Sequence, residues 1–278
     1  MEGRTFLVTG ANSGIGRALV EALAARDARV VLAARSEERT LPVLNALRRR
    51  TPAIDATFLH VDVSDLKSVR AAAARFLDSG HPIDVLVNNA GVAGTNALSP
   101  DGFDLTYATN HIGPFLLTSL LLPRLRESAD GRIVNIASAA HFRTRHIDWS
   151  LLSRRTAPRR GGFADYAATK LMNILHVKEL ARRLDATSVT SYAVHPGTVA
   201  SNIWRELPRP LQAVMKLFMV SNERGARTPL YCATAEELRG VSGRYYDRCR
   251  EKTPSALARS DALARELWER TEQLVASG

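Results

Sequence analysis

The sequence predicts an α/β fold: a single doubly wound domain with a central seven-stranded parallel sheet flanked by helices. Three observations carry that prediction. Short β-rich apolar runs alternate along the chain with longer stretches whose apolar residues recur every three to four positions. The short runs are apolar at successive positions, as strands covered on both faces by helices must be. A glycine-rich turn, TGANSGIG, falls between the first such strand and the first such helix. The 278 residues exceed the usual single-domain length, yet folds of this class reach it as one unit. No linker, repeat or low-complexity tract divides residues 1–278.

Taken in order, TFLVT (5–9), RVVLAA (29–34), TFLHV (57–61) and DVLVNN (84–89) read as strands on their unbroken apolar content. RIVNIAS (132–138), TSYAVH (190–195) and GRYYD (243–247) complete the set of seven. Between them, stretches such as GRALVEALAARD and KLMNILHVKELARRL carry the helical spacing, and Ala258–Ala276 reads as a terminal helix. Hydrophobic residues make up 45% of the chain, enough for a large core, but aromatics only 6%, so that core must be built from Ala, Val, Leu and Ile.

The net charge is +10, which raises the question of a nucleic-acid or membrane-surface partner. The basic residues are spread along the chain, with short clusters only at Arg48–Arg50, Arg154-Arg155 and Arg159-Arg160, and no nucleic-acid-binding signature accompanies them. A solvated basic surface is expected, one whose field also suits a polyanionic cofactor. Cys232 and Cys249 make neither a disulfide framework nor a metal site. Strand-like sequence from Thr5 leaves no room for a leader, and the apolar run Phe115–Pro123 is too short to span a bilayer. A soluble, cytoplasmic chain is the expectation.

The glycine turn has a specific chemistry. Gly10 permits the sharp exit from the strand, Gly14 lets the backbone approach a pyrophosphate, and Gly16 allows close packing of the helix. Asn12, Ser13 and Ile15 complete the turn, whose helix supplies free N–H groups and a positive dipole end to phosphates. This is the Rossmann-type dinucleotide site. After the second strand, Ala33-Ala34 are followed by Arg35 and Ser36, with no aspartate to receive a ribose 2′-hydroxyl. Arg35 can pair with a 2′-phosphate and stack on adenine, Ser36 can add a hydrogen bond, and Arg17 is a further candidate. The local chemistry therefore favours NADP(H) over NAD(H).

Tyr166 and Lys170 are four apart, so they project from one face of a helix. A tyrosine is a poor acid–base catalyst near neutrality, and lowering its pKa by about three units needs roughly 4 kcal/mol of differential interaction. Lys170 and a cationic nicotinamide could supply that together. The motifs TGANSGIG (9–16), NNAG (88–91), Asn110, Ser138, YAATK (166–170) and HPGTV (195–199) occur in the order found in the short-chain dehydrogenase/reductase family, which the chain resembles along essentially its whole length. ATNHIGPFLLTSLLLPRL, RIVNIASAAH and SYAVHPGTV are similar to its retinol dehydrogenase and WW-domain oxidoreductase branch.

That resemblance implies the roles of the remaining residues. Ser138 would donate to a substrate carbonyl, Tyr166 would exchange the proton, Lys170 would tune Tyr166 and bind the nicotinamide ribose, and Asn110 would hold a water that links Lys170 to solvent. Asn88, Ala90 and Gly91 would line the adenosine ribose side, with Asp62 and Val63 at the adenine edge. Pro196, Gly197 and Thr198 would hold the nicotinamide. For Asn88 and Asn110 a plain structural role, tying neighbouring strands, is also open. The helices around 103–122 and 163–184 would form the surface of a homodimer.

Tyr166 follows Ser138 by 28 positions, and six arginines lie between them. The long connection (141–163) fits the retinol-dehydrogenase-like branch; Trp149 in it is read as an anchor in preference to a cavity wall, and His141 as structural. Residues 199–223 take the place of a substrate lid, whose apolar helical surface around Leu211, Met215 and Phe218 suits a lid, a dimer contact or a peripheral membrane contact. The leading reading is an NADPH-dependent carbonyl reductase, reversible as an alcohol dehydrogenase, acting on an apolar ketone, aldehyde or alcohol. A tailoring reductase of secondary metabolites and a non-catalytic NADPH-sensing regulator are the alternatives.

Overall fold

The computed structural model describes residues 1–150, 162–197 and 220–276. Among the described residues seven strands run parallel: β1 (Thr5–Thr9), β2 (Arg29–Ala34), β3 (Ala56–His60), β4 (Val85–Asn88), β5 (Gly131–Ile136), β6 (Val189–His195) and β7 (Arg244–Asp247). They lie in the order β3-β2-β1-β4-β5-β6-β7. The expected α/β fold is thus present, with one addition: β8 (Arg250–Glu251) pairs antiparallel with β7 at the sheet edge. Its two residues are charged and exposed, so no apolar pattern announces it.

The helices are α1 (Gly14–Ala24), α2 (Glu37–Arg50), α3 (Leu66–Asp78), α4 (Leu105–Tyr107), α5 (Gly113–Leu125), α6 (Phe163–Arg183), α7 (Asn222–Thr234) and α8 (Asp261–Ala276); a π-helical turn, Ala108–Ile112, joins α4 to α5. Alternate residues of each strand feed two apolar layers. Leu7, Val31, Leu86 and Ile133 meet Leu117 and Leu121 of α5 and Leu171 and Leu175 of α6. Phe6, Val8, Val30 and Val87 meet Leu19 and Leu23 of α1 and Leu44 and Leu47 of α2. Both faces being covered is why β1 and β2 are buried almost throughout, whereas the edge strand β3 is exposed at Thr57 and His60. From β1 the chain steps outward to β2 and β3, then returns to place β4 on the other side of β1. Loops leaving β1 and β4 diverge there, opening a crevice at the carboxyl ends of the strands.

One part of the expected pairing surface is covered from within the chain. Along α6 every residue from Asp165 to Val177 is buried. The terminal helix α8 lies against α6: the Trp268 ring sits 4.8 Å from Phe115 and 5.7 Å from His176, Arg183 stacks on Trp268 at 4.4 Å, and Lys178 pairs with Asp261 at 2.8 Å. Trp149 is half-buried against the same layer, with the Arg270 guanidinium of α8 4.9 Å from its ring, which is the geometry of an anchor. Among the described residues no helix is long and apolar enough to cross a membrane.

His176, inside this layer, accepts a hydrogen bond at Nδ1 from Asn135 Nδ2 at 3.2 Å, while Asn135 Oδ1 accepts from Asn88. Burial pushes its pKa from 6.5 down to about 4. The unfolded chain therefore binds a proton between these values that the native state refuses, so stability falls as pH drops through that window. His176 alone is expected to remove on the order of 3 kcal/mol by pH 4. Urea unfolding of wild type and His176→Gln at pH 7 and pH 4.5 checks this: the pH-dependent loss should shrink in the variant, and an equal loss in both would refute the assignment.

Candidate active site

Local chemistry at the end of β1 builds an anion site. Gly10 leaves the strand at φ 67°, in the left-handed region. A Cβ on Gly16 would stand 2.4 Å from the Gly10 carbonyl oxygen and 2.5 Å from Asn89 Nδ2. Gly16 is thus required for α1 to close on the turn itself and on the β4 loop, and it is not among the walls of the crevice. Ser36 and Asp65 cap the N-termini of α2 and α3 with their side chains. Ser13 makes no such bond at α1, whose first turn carries no acidic residue. Its N–H groups and dipole are left facing the crevice, the arrangement that a pyrophosphate requires.

The crevice holds about 370 Å³. Of the residues expected there, Gly10, Asn12, Ser13, Gly14, Ile15, Arg35, Ser36, Asp62, Val63, Ala90, Gly91, Ser138, Tyr166, Lys170, Pro196 and Gly197 line it. Thr198 and residues 199–219 of the expected lid lie outside the described residues, as do 151–161 of the long connection. The walls also include Arg39, Ser64, Asn89, Thr109 and His195, which the motif reading does not single out. Arg39 lies in the first turn of α2, while Arg35 precedes the Ser36 cap, so the two reach the crevice from the helix and from the loop before it. Arg17 is instead paired with Glu21 at 2.8 Å and is not in the wall.

Asn88 requires a correction. Its side chain turns away from the crevice and donates to Thr118 Oγ1 at 2.9 Å and Asn135 Oδ1 at 2.8 Å. Asn89, the first residue past β4, takes the wall position instead and also ties the end of β4 to β1 through Thr9. Asn110 likewise stands behind the wall, in the π-helical turn. Its Oδ1 accepts from Val92 N–H at 2.8 Å, and its Nδ2 donates to the Val92 carbonyl at 2.9 Å and Thr169 Oγ1 at 3.0 Å. These are three of the four hydrogen bonds an amide can make, so Asn110 chiefly clamps the loop that carries Gly91 and Val92.

Ser138, Tyr166 and Lys170 converge despite the long connection. Ser138 lies just beyond β5 and caps a 3-10 turn (Ala139–Arg143), its Oγ accepting from Ala140 N–H at 3.2 Å. Tyr166 rides the first turn of α6, and its side chain is hydrogen-bonded to that of Ser138. One turn on, Lys170 Nζ donates to the Ile136 carbonyl at 2.7 Å and stands 5.4 Å from the Tyr166 ring centroid. Asn173 Nδ2 donates to the same carbonyl at 3.1 Å. Burial pushes the Tyr166 phenol up to about 12, and the bond from Ser138 pulls the other way. Burial also pushes Lys170 down to about 7. The expected drop in the tyrosine pKa is therefore not a property of the polypeptide by itself: desolvation opposes it, and a further positive charge in the crevice would have to overcome that. Pocket, hydroxyl pair and buried amine suit proton exchange with an oxygen at the inner end of the crevice.

Comparison with known proteins gives a consistent result. A family model described as short chain dehydrogenase matches residues 4–148. The human protein Dehydrogenase/reductase SDR family member 13 is 44% identical over 283 residues, covering 100% of this chain and 74% of its own. Mouse Retinol dehydrogenase 12 is 41% identical, over 96% of this chain and 84% of its own. A solved structure of a Mycobacterium paratuberculosis protein is similar with a TM-score of 0.77 at 33% identity, covering 99% of this chain and 94% of that one.

Proposed function

The chain belongs to the short-chain dehydrogenase/reductase family, oxidoreductases that use a nicotinamide cofactor, and on that premise we propose an NADP(H)-dependent carbonyl reductase and alcohol dehydrogenase acting on an apolar ketone, aldehyde or alcohol. The observation that carries this reading is the Ser138–Tyr166 hydrogen bond beside the buried Lys170, at the end of a crevice built to accept a dinucleotide. The bound dinucleotide would supply or accept the hydride. Ser138 holds the substrate oxygen and Tyr166 delivers the proton to it. A phenol at this position carries the proton that reduction requires, and a phenolate would take one in the reverse direction. Lys170 is fixed by Ile136 at the position from which an ammonium steadies the phenolate left behind. A regulator that only senses NADPH has no use for this group. The apolar substrate class is supported by the relation to retinol dehydrogenases and by Val92, Ala93 and Leu105 in the wall.

Support for NADP(H) comes from the end of β2, where Arg35, Ser36 and Arg39 line the crevice together. A charge-assisted hydrogen bond contributes about 1.5–3 kcal/mol. Arg35→Asp is therefore expected to weaken NADPH by about ten- to a hundredfold while NADH is held as well or better. Absorbance loss of NADPH and of NADH over a panel of carbonyl compounds tests both the activity and this preference; no turnover of any member with either cofactor would reject the proposed function, and an unaltered preference in Arg35→Asp would reject the NADP(H) assignment.

A further inference from the structure

His141 is fully buried on the 3-10 turn that Ser138 caps, and the proposed proton transfer makes no use of it. Its ring nitrogens have partners that leave one protonation pattern. Nδ1 lies 2.7 Å from the Ser138 carbonyl oxygen, which only accepts, so Nδ1 carries the hydrogen. Nε2 lies 3.1 Å from the backbone N–H of Ser255, which only donates, so Nε2 offers its lone pair. The Tyr245 ring meets the imidazole edge-on at 5.1 Å and Phe142 covers it at 4.0 Å, fixing its plane. The His141 backbone N–H also donates to the Ser138 carbonyl, at 3.1 Å.

The consequence falls on Ser138. Its carbonyl is held twice by His141, and its hydroxyl oxygen receives Ala140 N–H. The direction left for the hydroxyl is set by those bonds, and a donor to a developing oxyanion works only within a narrow geometry. Through Ser255, which precedes the 3-10 turn Leu257–Arg259, the same imidazole ties the serine to the segment between β8 and α8. We propose that His141 is a positioning residue for Ser138, a neutral imidazole strap that aims the serine hydroxyl and couples it to the chain at Ser255. This rests on the carbonyl-reductase reading above.

The test is a pair of cycles on the full chain, with NADPH and 4-nitrobenzaldehyde as the probe. His141→Asn keeps a donor near the Nδ1 position, whereas His141→Gln and His141→Leu remove it. We expect His141→Gln and His141→Leu to lower kcat by about tenfold or more with the KM for NADPH near wild type, and His141→Asn to recover most of the loss. In a Ser138→Ala background the same changes should lower kcat no further, because a positioning residue has nothing left to position. An equal factor in both backgrounds, equal losses for Asn and Leu, or losses that match the fraction unfolded in thermal melts would each overturn the proposal. If His141→Leu does not fold, the Asn and Gln comparison in the two backgrounds decides. Absence of turnover by wild type on the whole carbonyl panel would instead count against the carbonyl-reductase reading, leaving the geometry of the strap untouched.

Discussion

Tyr166→Phe is expected to lower kcat for carbonyl reduction by about 10²- to 10⁴-fold, with dinucleotide affinity close to that of wild type. The phenyl ring keeps the packing of the buried side chain on α6, including its place beside Lys170. Only the hydroxyl that is bonded to Ser138 is removed, and with it the proposed proton donor. Ser138→Ala takes away the other half of the pair and is expected to lower kcat by about 10²- to 10³-fold, the usual scale for one donor to a developing oxyanion. Because the two hydroxyls act on one oxygen, their effects should not multiply in the double variant. Fluorescence titration with NADPH separates chemistry from binding. Near-normal turnover in either variant would sink the assigned role of that residue, and loss of NADPH binding in both would mean that the pair shapes the dinucleotide site instead.

The parts of this machine that sequence reading reaches are those set by local rules. The central strands are visible because burial on both faces favours successive apolar residues, as in TFLVT and RVVLAA. Tyr166 and Lys170 are visible because a helix places i and i+4 on one face. What escapes is what depends on register or on distant packing. Asn88 and Asn89 are chemically identical neighbours, and which of them meets the crevice depends on β4 ending between them. The clamp made by Asn110 depends on a π-helical turn that no residue type signals. Burial, which raises the Tyr166 pKa, depends on packing that the helical spacing of Tyr166 and Lys170 does not show. The terminal helix α8 is legible as a helix, yet nothing in its amphipathic pattern says that it covers α6.

Gly113→Ala is the second change with a large expected effect, and here propensity and packing predict opposite signs. Alanine in place of glycine inside an exposed helix stabilises by about 1 kcal/mol. At this site a Cβ would stand 1.7 Å from the Val63 carbonyl oxygen and 2.8 Å from its carbon. Both are backbone atoms, so no flexible side chain can give way. Gly113 is itself confined at the junction where the π-helical turn passes into α5, buried with Ile112 and Pro114 on either side. Overpacking of well-ordered cores is penalised by about 1–3 kcal/mol, sometimes more, and a backbone-to-backbone clash of this depth belongs at or beyond the upper end. For a chain of this size about 3 kcal/mol is a fall in Tm of roughly 6–12 °C. The strain also has a direction. Relief requires the Val63 segment to move, and Val63 with Asp62 and Ser64 lines the crevice. The folded fraction of Gly113→Ala should therefore bind NADPH more weakly than wild type, and saturating NADPH should raise its Tm by less. Differential scanning fluorimetry with and without NADPH reads both quantities; a variant that melts at or above the wild-type temperature would show that helix propensity, not the close approach of α5 to the β3–α3 loop, governs this position.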